Sequence, residues 1–156
     1  MKKILCITPV KHLNGVYDLF KLYGDPIYKP NINKKNLRNL LIDSDIEYIF
    51  TNPNKQGFVL DKDILEGSSV KVINTCSTGT NHLDKKYCLK NKIEVWSLTK
   101  DMELINDLPS TSELAFGLMC SLFRKINPGF ESVKNGDWNY EPFIGKQMKD
   151  SSIGII

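Results

Sequence analysis

Through residue 97, short apolar runs rich in β-branched residues alternate with stretches whose apolar positions recur at helical spacing. Ile4-Leu5-Cys6-Ile7-Thr8 predicts a first strand, and Val16 to Leu22 a helix. Pro26-Ile27-Tyr28, fenced by Gly24 and Pro30, gives a weak second strand, followed by a helix over Lys35 to Ile42. Asp45 to Thr51 reads as a strand closed by Asn52-Pro53-Asn54, and Ile64-Leu65 as part of a short helix ended by Gly67. Strand Val70 to Thr75, a helix from Leu83 to Leu89 and strand Ile93 to Ser97 complete the series. Strands joined by helical crossovers predict an α/β fold with a flavodoxin-like open parallel sheet.

After Leu98 the pattern changes. Residues 99 to 109 read as a polar, irregular connector ending in Leu108-Pro109. Ser110-Thr111-Ser112-Glu113 then has the spacing of a capping box, with Ser110 at the cap and Glu113 at N3. The helix that follows is apolar almost all round, which predicts burial between layers. A further helix should start at Asn127-Pro128, with proline first, and stop at Gly136. Ser152-Ile153-Gly154-Ile155-Ile156 reads as one more strand.

The segment richest in candidate chemistry is Val70 to Asp84. Its apolar strand passes into Thr75-Cys76-Ser77-Thr78-Gly79-Thr80-Asn81-His82, small polar residues around one glycine, before Leu83-Asp84 open a helix. Ligands of open α/β sheets bind where strand carboxyl ends meet such loops. Gly79 would admit a ligand close to the backbone, and consecutive N–H groups there would suit a carboxylate or phosphate. The same residues also suit a tight turn without a ligand. Both readings stay open on this loop alone.

Taken with three later segments, the loop resembles the D-isomer-specific 2-hydroxyacid dehydrogenases, and most of all their phosphoglycerate-dehydrogenase-like branch. Those segments are Ile93-Glu94-Val95-Trp96-Ser97, Ser110 to Leu118, and Val133-Lys134-Asn135-Gly136-Asp137-Trp138, in the family's order. The ending Ser152 to Ile156 looks like the family's first nucleotide-domain strand, which normally runs into GxGxxG. The resemblance therefore implies two regions. Residues 1–99 would be the flavodoxin-like substrate domain, and 100–156 the interdomain helices and first strand of an incomplete Rossmann domain. The chain would be truncated just before the glycine-rich turn.

What the resemblance implies about chemistry is specific. In the family a hydride passes between NAD or NADP and the 2-carbon of a 2-hydroxy or 2-keto acid. Ser77, Thr78 and Gly79 match the loop whose backbone amides hold the substrate carboxylate. Thr111 matches a position close to the nicotinamide half of the cofactor. Upstream of the motif glutamate, Asp107 with Asn106 beside it stands where many members have asparagine, which departs from the family pattern. The family's catalytic histidine, its acidic partner and its arginine lie beyond residue 156, so no catalytic residue is expected here. His82, at a loop-to-helix junction without a carboxylate at motif spacing, reads as a satisfied structural histidine rather than a general base. The expectation is an oxidoreductase portion that is inactive and binds no cofactor by itself. A small 2-hydroxy or 2-keto acid would be its ligand, and the helices after residue 100 would support a homodimer or self-association. The alternative is a non-catalytic flavodoxin-like module that binds carboxylates or another protein.

Composition narrows these readings. At 156 residues and 41% apolar, one substantial core can be buried. Net charge is only +3, and Lys34, Lys35 and Arg38 lack interleaved aromatics, so they read as a solvated helix face and not a nucleic-acid footprint. Cys6, Cys76, Cys88 and Cys120 form no CxxC pair, and with two histidines no metal-ligand spacing arises. Cys6 and Cys120, in apolar runs, read as buried reduced thiols of a cytoplasmic protein. The amino-terminal apolar run is too short for a signal peptide, and Leu114 to Phe123 is too short to cross a bilayer.

Overall fold

The computed structural model describes residues 2–53 and 57–155; Asn54 and Ile156, part of two expectations above, lie outside them. The chain divides into two compact units, Met1–Ile105 and Asn106–Ile156. In the first unit, strands β1 (Lys3–Cys6), β2 (Asp25–Tyr28), β3 (Ile46–Thr51), β4 (Val72–Thr75) and β5 (Glu94–Ser97) form one sheet in the order β2-β1-β3-β4-β5. Every pairing is parallel, with Ile4 opposite Pro26 and Tyr48, and Ile73 opposite Ile49 and Val95. This is the flavodoxin-like arrangement that the alternating pattern predicts.

Helices α1 (Val16–Tyr23), α2 (Lys34–Ile42), α3 (Lys62–Leu65) and α4 (Lys85–Lys90) supply the crossovers. Three of them begin at side chains that satisfy an orphan amide. The Asn33 carboxamide oxygen accepts from Asn36 N–H at 2.8 Å, Asp61 from Ile64 N–H at 3.3 Å, and Asp84 from Tyr87 N–H at 3.0 Å. Leu37 and Leu41, one turn apart on α2, bury completely against Leu5, Ile46, Ile49 and Ile73 of the sheet. Each such side chain contributes about 1.5–3 kcal/mol of burial. Gly24 ends α1 where a Cβ would collide with the Lys2 carbonyl oxygen, so the helix can approach β1 only with glycine there.

The stretch expected to be an irregular connector contains a 3-10 turn, Leu98–Lys100, and a short helix α5 (Met102–Asn106). Asp101, whose carboxylate accepts from Leu104 N–H at 3.0 Å, is the start signal that polarity alone conceals.

The second unit is built on α6 (Ser110–Arg124) and α7 (Ile126–Lys134). The expected capping box does not form. Pro109 occupies the cap position, its carbonyl accepting Glu113 N–H at 2.9 Å and the Ser112 hydroxyl at 2.7 Å, so Ser110 lies inside the helix. Lys125, at φ 52°, breaks the two helices apart, and α7 begins at Ile126 with Pro128 third instead of first. Pro128 still falls in the first turn, where its missing N–H has no helical partner to lose. The end of α7 is a Schellman turn: Gly136, at φ 84°, donates to Val133 O at 3.0 Å and Asp137 to Ser132 O at 3.0 Å.

Helix α6 is not buried, contrary to its pattern. Leu114 is 63% exposed and Leu122 77%, with Phe116 and Leu118 also open. Among its described residues the unit Asn106–Ile156 supplies no sheet for the helix to cover, so its apolar sides are left exposed. Cys120 is accordingly half-exposed and not buried. Residues 151–155 take no strand conformation; a strand needs a hydrogen-bonded neighbour, and none is paired with them among the described residues.

Candidate functional site: the loop after strand β4

Three threonines stand at or just past the carboxyl ends of adjacent strands. Thr8, Thr51 and Thr75 are all buried, and with His82 they are the buried polar residues at this end of the sheet. The ladder runs one step past β4, where Cys76 N–H donates to Thr51 O at 3.2 Å. The chain then bends through Ser77 and Thr78 to Gly79.

Two hydrogen bonds fix that bend. Leu98 N–H, just past β5, donates to the Ser77 carbonyl at 3.2 Å, and the Ser77 hydroxyl donates to the Gly79 carbonyl at 2.7 Å. Both carbonyls are thereby engaged. The amide N–H groups of Ser77, Thr78 and Gly79 donate to no group among the described residues. Ser77 is half-buried, and Thr78 and Gly79 are exposed. None of the three has a left-handed backbone, so the amides are presented by an open bend and not by an αR–αL nest. A Cβ built on Gly79 would meet nothing within 4 Å. The space in front of it is open.

Gly79, Asn81 and His82 border a hollow of about 290 Å³ whose other wall is Pro53, Gly57, Phe58 and Val59, from the segment after β3. The two walls are joined by a small parallel bridge, with Leu60 N–H on His82 O at 2.8 Å and Asp84 N–H on Leu60 O at 3.1 Å. His82 is buried; its Nε2 lies 2.9 Å from the Thr75 hydroxyl, which lies 2.8 Å from the Ser77 hydroxyl. Its Nδ1 has no partner among the described residues, so within them this histidine is half-satisfied and not the fully satisfied one that the sequence suggests. Burial holds its imidazole below the ordinary value, which favours the neutral ring.

The thiols nearby are not nucleophiles in waiting. Burial raises Cys6 and Cys76, and the Cys76 Sγ donates to Thr51 O at 3.5 Å. Cys88, beneath α4, is pushed up to about 11 by burial and then by the Asp84 carboxylate. Among the described residues no group of three or more His, Cys, Asp or Glu could hold a metal, and no helix is long and apolar enough to cross a membrane.

Ser77, Thr78 and Gly79 thus lie together on one bend, whereas Thr111, exposed on the first turn of α6, belongs to the second unit. Sequence reasoning missed Thr75 and the pairing of His82 with it. A signal was present: β1, β3 and β4 each run out of apolar residues into a threonine at the same end of the sheet, Thr8, Thr51 and Thr75.

The first unit is an open parallel α/β sheet with amides at its carboxyl end that have no acceptor among the described residues, the end at which such sheets generally bind ligands. The relatives of the chain make that class particular. No family model matches it. It is 36% identical over 102 residues to the glyoxylate reductase/hydroxypyruvate reductase of Homo sapiens, an alignment covering 62% of this chain and 30% of that protein. It is 24% identical to the D-3-phosphoglycerate dehydrogenase of Methanocaldococcus jannaschii, across 100% of this chain and 28% of that one. Among solved structures, the NAD-dependent formate dehydrogenase of Staphylococcus aureus in complex with NAD shares the fold, with a TM-score of 0.68 at 20% identity over 92% of this chain and 44% of that one. The chain is thus similar to members of the D-isomer-specific 2-hydroxyacid dehydrogenase family. It spans about 30% of the length of the relatives it matches.

Proposed function

We propose that residues 1–156 are the substrate-side portion of an NAD(P)-dependent oxidoreductase acting on the CH–OH group of 2-hydroxy acids. In this reading the amides of Ser77, Thr78 and Gly79 receive the substrate carboxylate. The observation that carries it is the set of unengaged N–H groups at the carboxyl end of β4, with open space in front of Gly79. A carboxylate accepting several such donors is bound by charge-assisted hydrogen bonds, roughly twice as strong as neutral ones. The human relative's name, glyoxylate reductase/hydroxypyruvate reductase, is of a piece with a small 2-oxo acid as ligand.

The cofactor of the complete enzyme would be NAD or NADP, which supplies hydride chemistry when bound. The residues present do not fit its pyrophosphate. No Gly-x-Gly occurs anywhere in the 156 residues, so the glycine-rich cradle at a helix start is not provided by them. Thr111 is the one residue here offered toward the nicotinamide half, and no hydride or proton step is assigned to residues 1–156. Domain limits of 1–99 for the substrate domain and 100–156 for the start of the nucleotide domain belong to the same proposal.

The second unit would self-associate through α6 and the hollow beside it. That hollow, of about 660 Å³, is lined by Val133, Trp138, Tyr140, Phe143 and Ile144 with Arg124. A non-catalytic carboxylate-binding module shares the first site and differs in needing no nucleotide. An in-frame Gly-x-Gly-x-x-Gly continuation of the coding sequence beyond codon 156 would decide for the enzyme.

Calorimetric titration of the chain with glyoxylate and with hydroxypyruvate tests the proposal. Saturable, salt-sensitive binding of both is expected. Heat no different from titration with an uncharged aldehyde would refute it.

A further inference from the structure

The loop after β4 is wired to a buried histidine by hydroxyl groups that can point only one way. The Ser77 hydroxyl has a single proton, and it is donated to the Gly79 carbonyl at 2.7 Å. Ser77 Oγ can therefore only accept across the 2.8 Å contact with Thr75 Oγ1, so Thr75 is the donor there. Thr75 has then spent its own proton. Across the 2.9 Å contact with His82 it must accept, which requires a proton on Nε2. The tautomer follows from the network: Nε2–H, with a lone pair on Nδ1, the buried atom that has no partner among the described residues.

We propose that His82 is a positioning residue for the carboxylate loop: its neutral Nε2–H form orders a one-way chain, His82 to Thr75 to Ser77 to the Gly79 carbonyl, that holds the shape of the bend carrying the Ser77, Thr78 and Gly79 amides. The inference rests on the reading of this loop as the carboxylate site. The mechanics come from the planarity of the peptide. Fixing the Gly79 carbonyl fixes the Thr80 N–H on the opposite side of the same trans peptide, and the Leu98 bond to Ser77 O does the same for Thr78 N–H. A chain of hydroxyls with all donors aligned is also mutually polarising, so the terminal bond to Gly79 O is strengthened by the first. Among the described residues the other imidazole nitrogen carries no compensating bond, so reversing the tautomer would leave Thr75 without its donor and bury an Nδ1–H unmatched by them. One ring form alone satisfies the chain.

The test uses the whole chain and four variants. Nitrogen-15 NMR of the wild-type imidazole should show a protonated Nε2 and an unprotonated Nδ1 at neutral pH. In His82→Leu and in Thr75→Val, backbone order parameters at Thr78 and Gly79 should fall from the rigid range near 0.85 toward 0.6. Exchange of the Leu98 amide should quicken at least about tenfold. His82→Gln, which keeps a donor at nearly the Nε2 position, should restore both, and His82→Leu with Thr75→Val should be no looser than either alone. Thr75→Val conserves volume, so it keeps the test alive even where His82→Leu fails to fold. An Nδ1–H tautomer, or a loop equally rigid in Thr75→Val, overturns the proposal. An ordered relay in a chain that leaves glyoxylate unbound upholds the positioning role and overturns the carboxylate reading instead. Loosened variants that bind glyoxylate as the wild type does overturn the link between the two.

Discussion

Leu98 N–H reaches the Ser77 carbonyl at 3.2 Å, tying the residue just past β5 to the bend that follows β4. Because the peptide is planar and trans, this bond turns Thr78 N–H away from β5. A contact between two backbone groups just past neighbouring strands thus presents a donor that no acceptor among the described residues consumes. The candidate site is a property of the sheet's carboxyl edge more than of any side chain.

Gly79→Val tests the space that the amides face. A Cβ there meets nothing within 4 Å, and the backbone at this position is not left-handed, so stability should change by no more than about 0.5 kcal/mol. Glyoxylate affinity should fall at least about tenfold, which is about 1.4 kcal/mol. Thermal melts with calorimetric titration check both halves. Unchanged affinity would return the loop to a plain turn.

The acid limb of stability should carry the signature of His82. Its folded-state value is depressed by burial below the ordinary 6.5, so the unfolded chain takes up a proton there more readily than the folded one. Stability from this residue is therefore full above pH 6.5 and is lost as pH falls toward the folded value. Melting temperatures measured from pH 7.5 to 5 should drop more steeply for the wild type than for His82→Gln. Parallel curves would contradict the assignment.

Thiol accessibility should sort by the fold. Cys6 and Cys88 are buried, and Cys88 is pushed up to about 11, so iodoacetamide at pH 8 should label the accessible Cys120 and, more slowly because its thiol is raised, Cys76, and spare the other two. Mass spectrometry of peptides after brief labelling gives the order directly. Rapid native labelling of Cys88 would mean that α4 does not pack as described.

The sheet was legible because every one of its strands carries its own apolar run and turn signals, and parallel strands joined by helices allow few topologies. What could not be read were features decided by neighbours. Ser110 and Glu113 have capping-box spacing, yet Pro109 takes the cap through its carbonyl. Leu114, Phe116 and Leu122 have the pattern of a buried helix, yet pattern records a need for cover and not the cover itself. At the site, Ser77 to Gly79 stood out as small residues after a strand. Thr75 did not, since its partner His82 meets it only through the closing of the loop.

Helix α6 sets up a contrast between two leucines. Leu37→Ala, at a fully buried position, should cost about 2–5 kcal/mol of stability. Leu122→Ser, at a position 77% exposed, should leave the melting temperature nearly unchanged and weaken self-association. Sedimentation velocity at micromolar concentrations reads the second effect. An ideal monomer in the wild type would refute the proposed association.

The central claim is that the Ser77, Thr78 and Gly79 amides hold a carboxylate, and nitrogen-15 NMR of the full chain during a glyoxylate titration tests it most directly. The account predicts saturable shifts of those three amide resonances, larger than at any other position and abolished in Gly79→Val. Shifts absent from the three, or concentrated elsewhere in the chain, would contradict it.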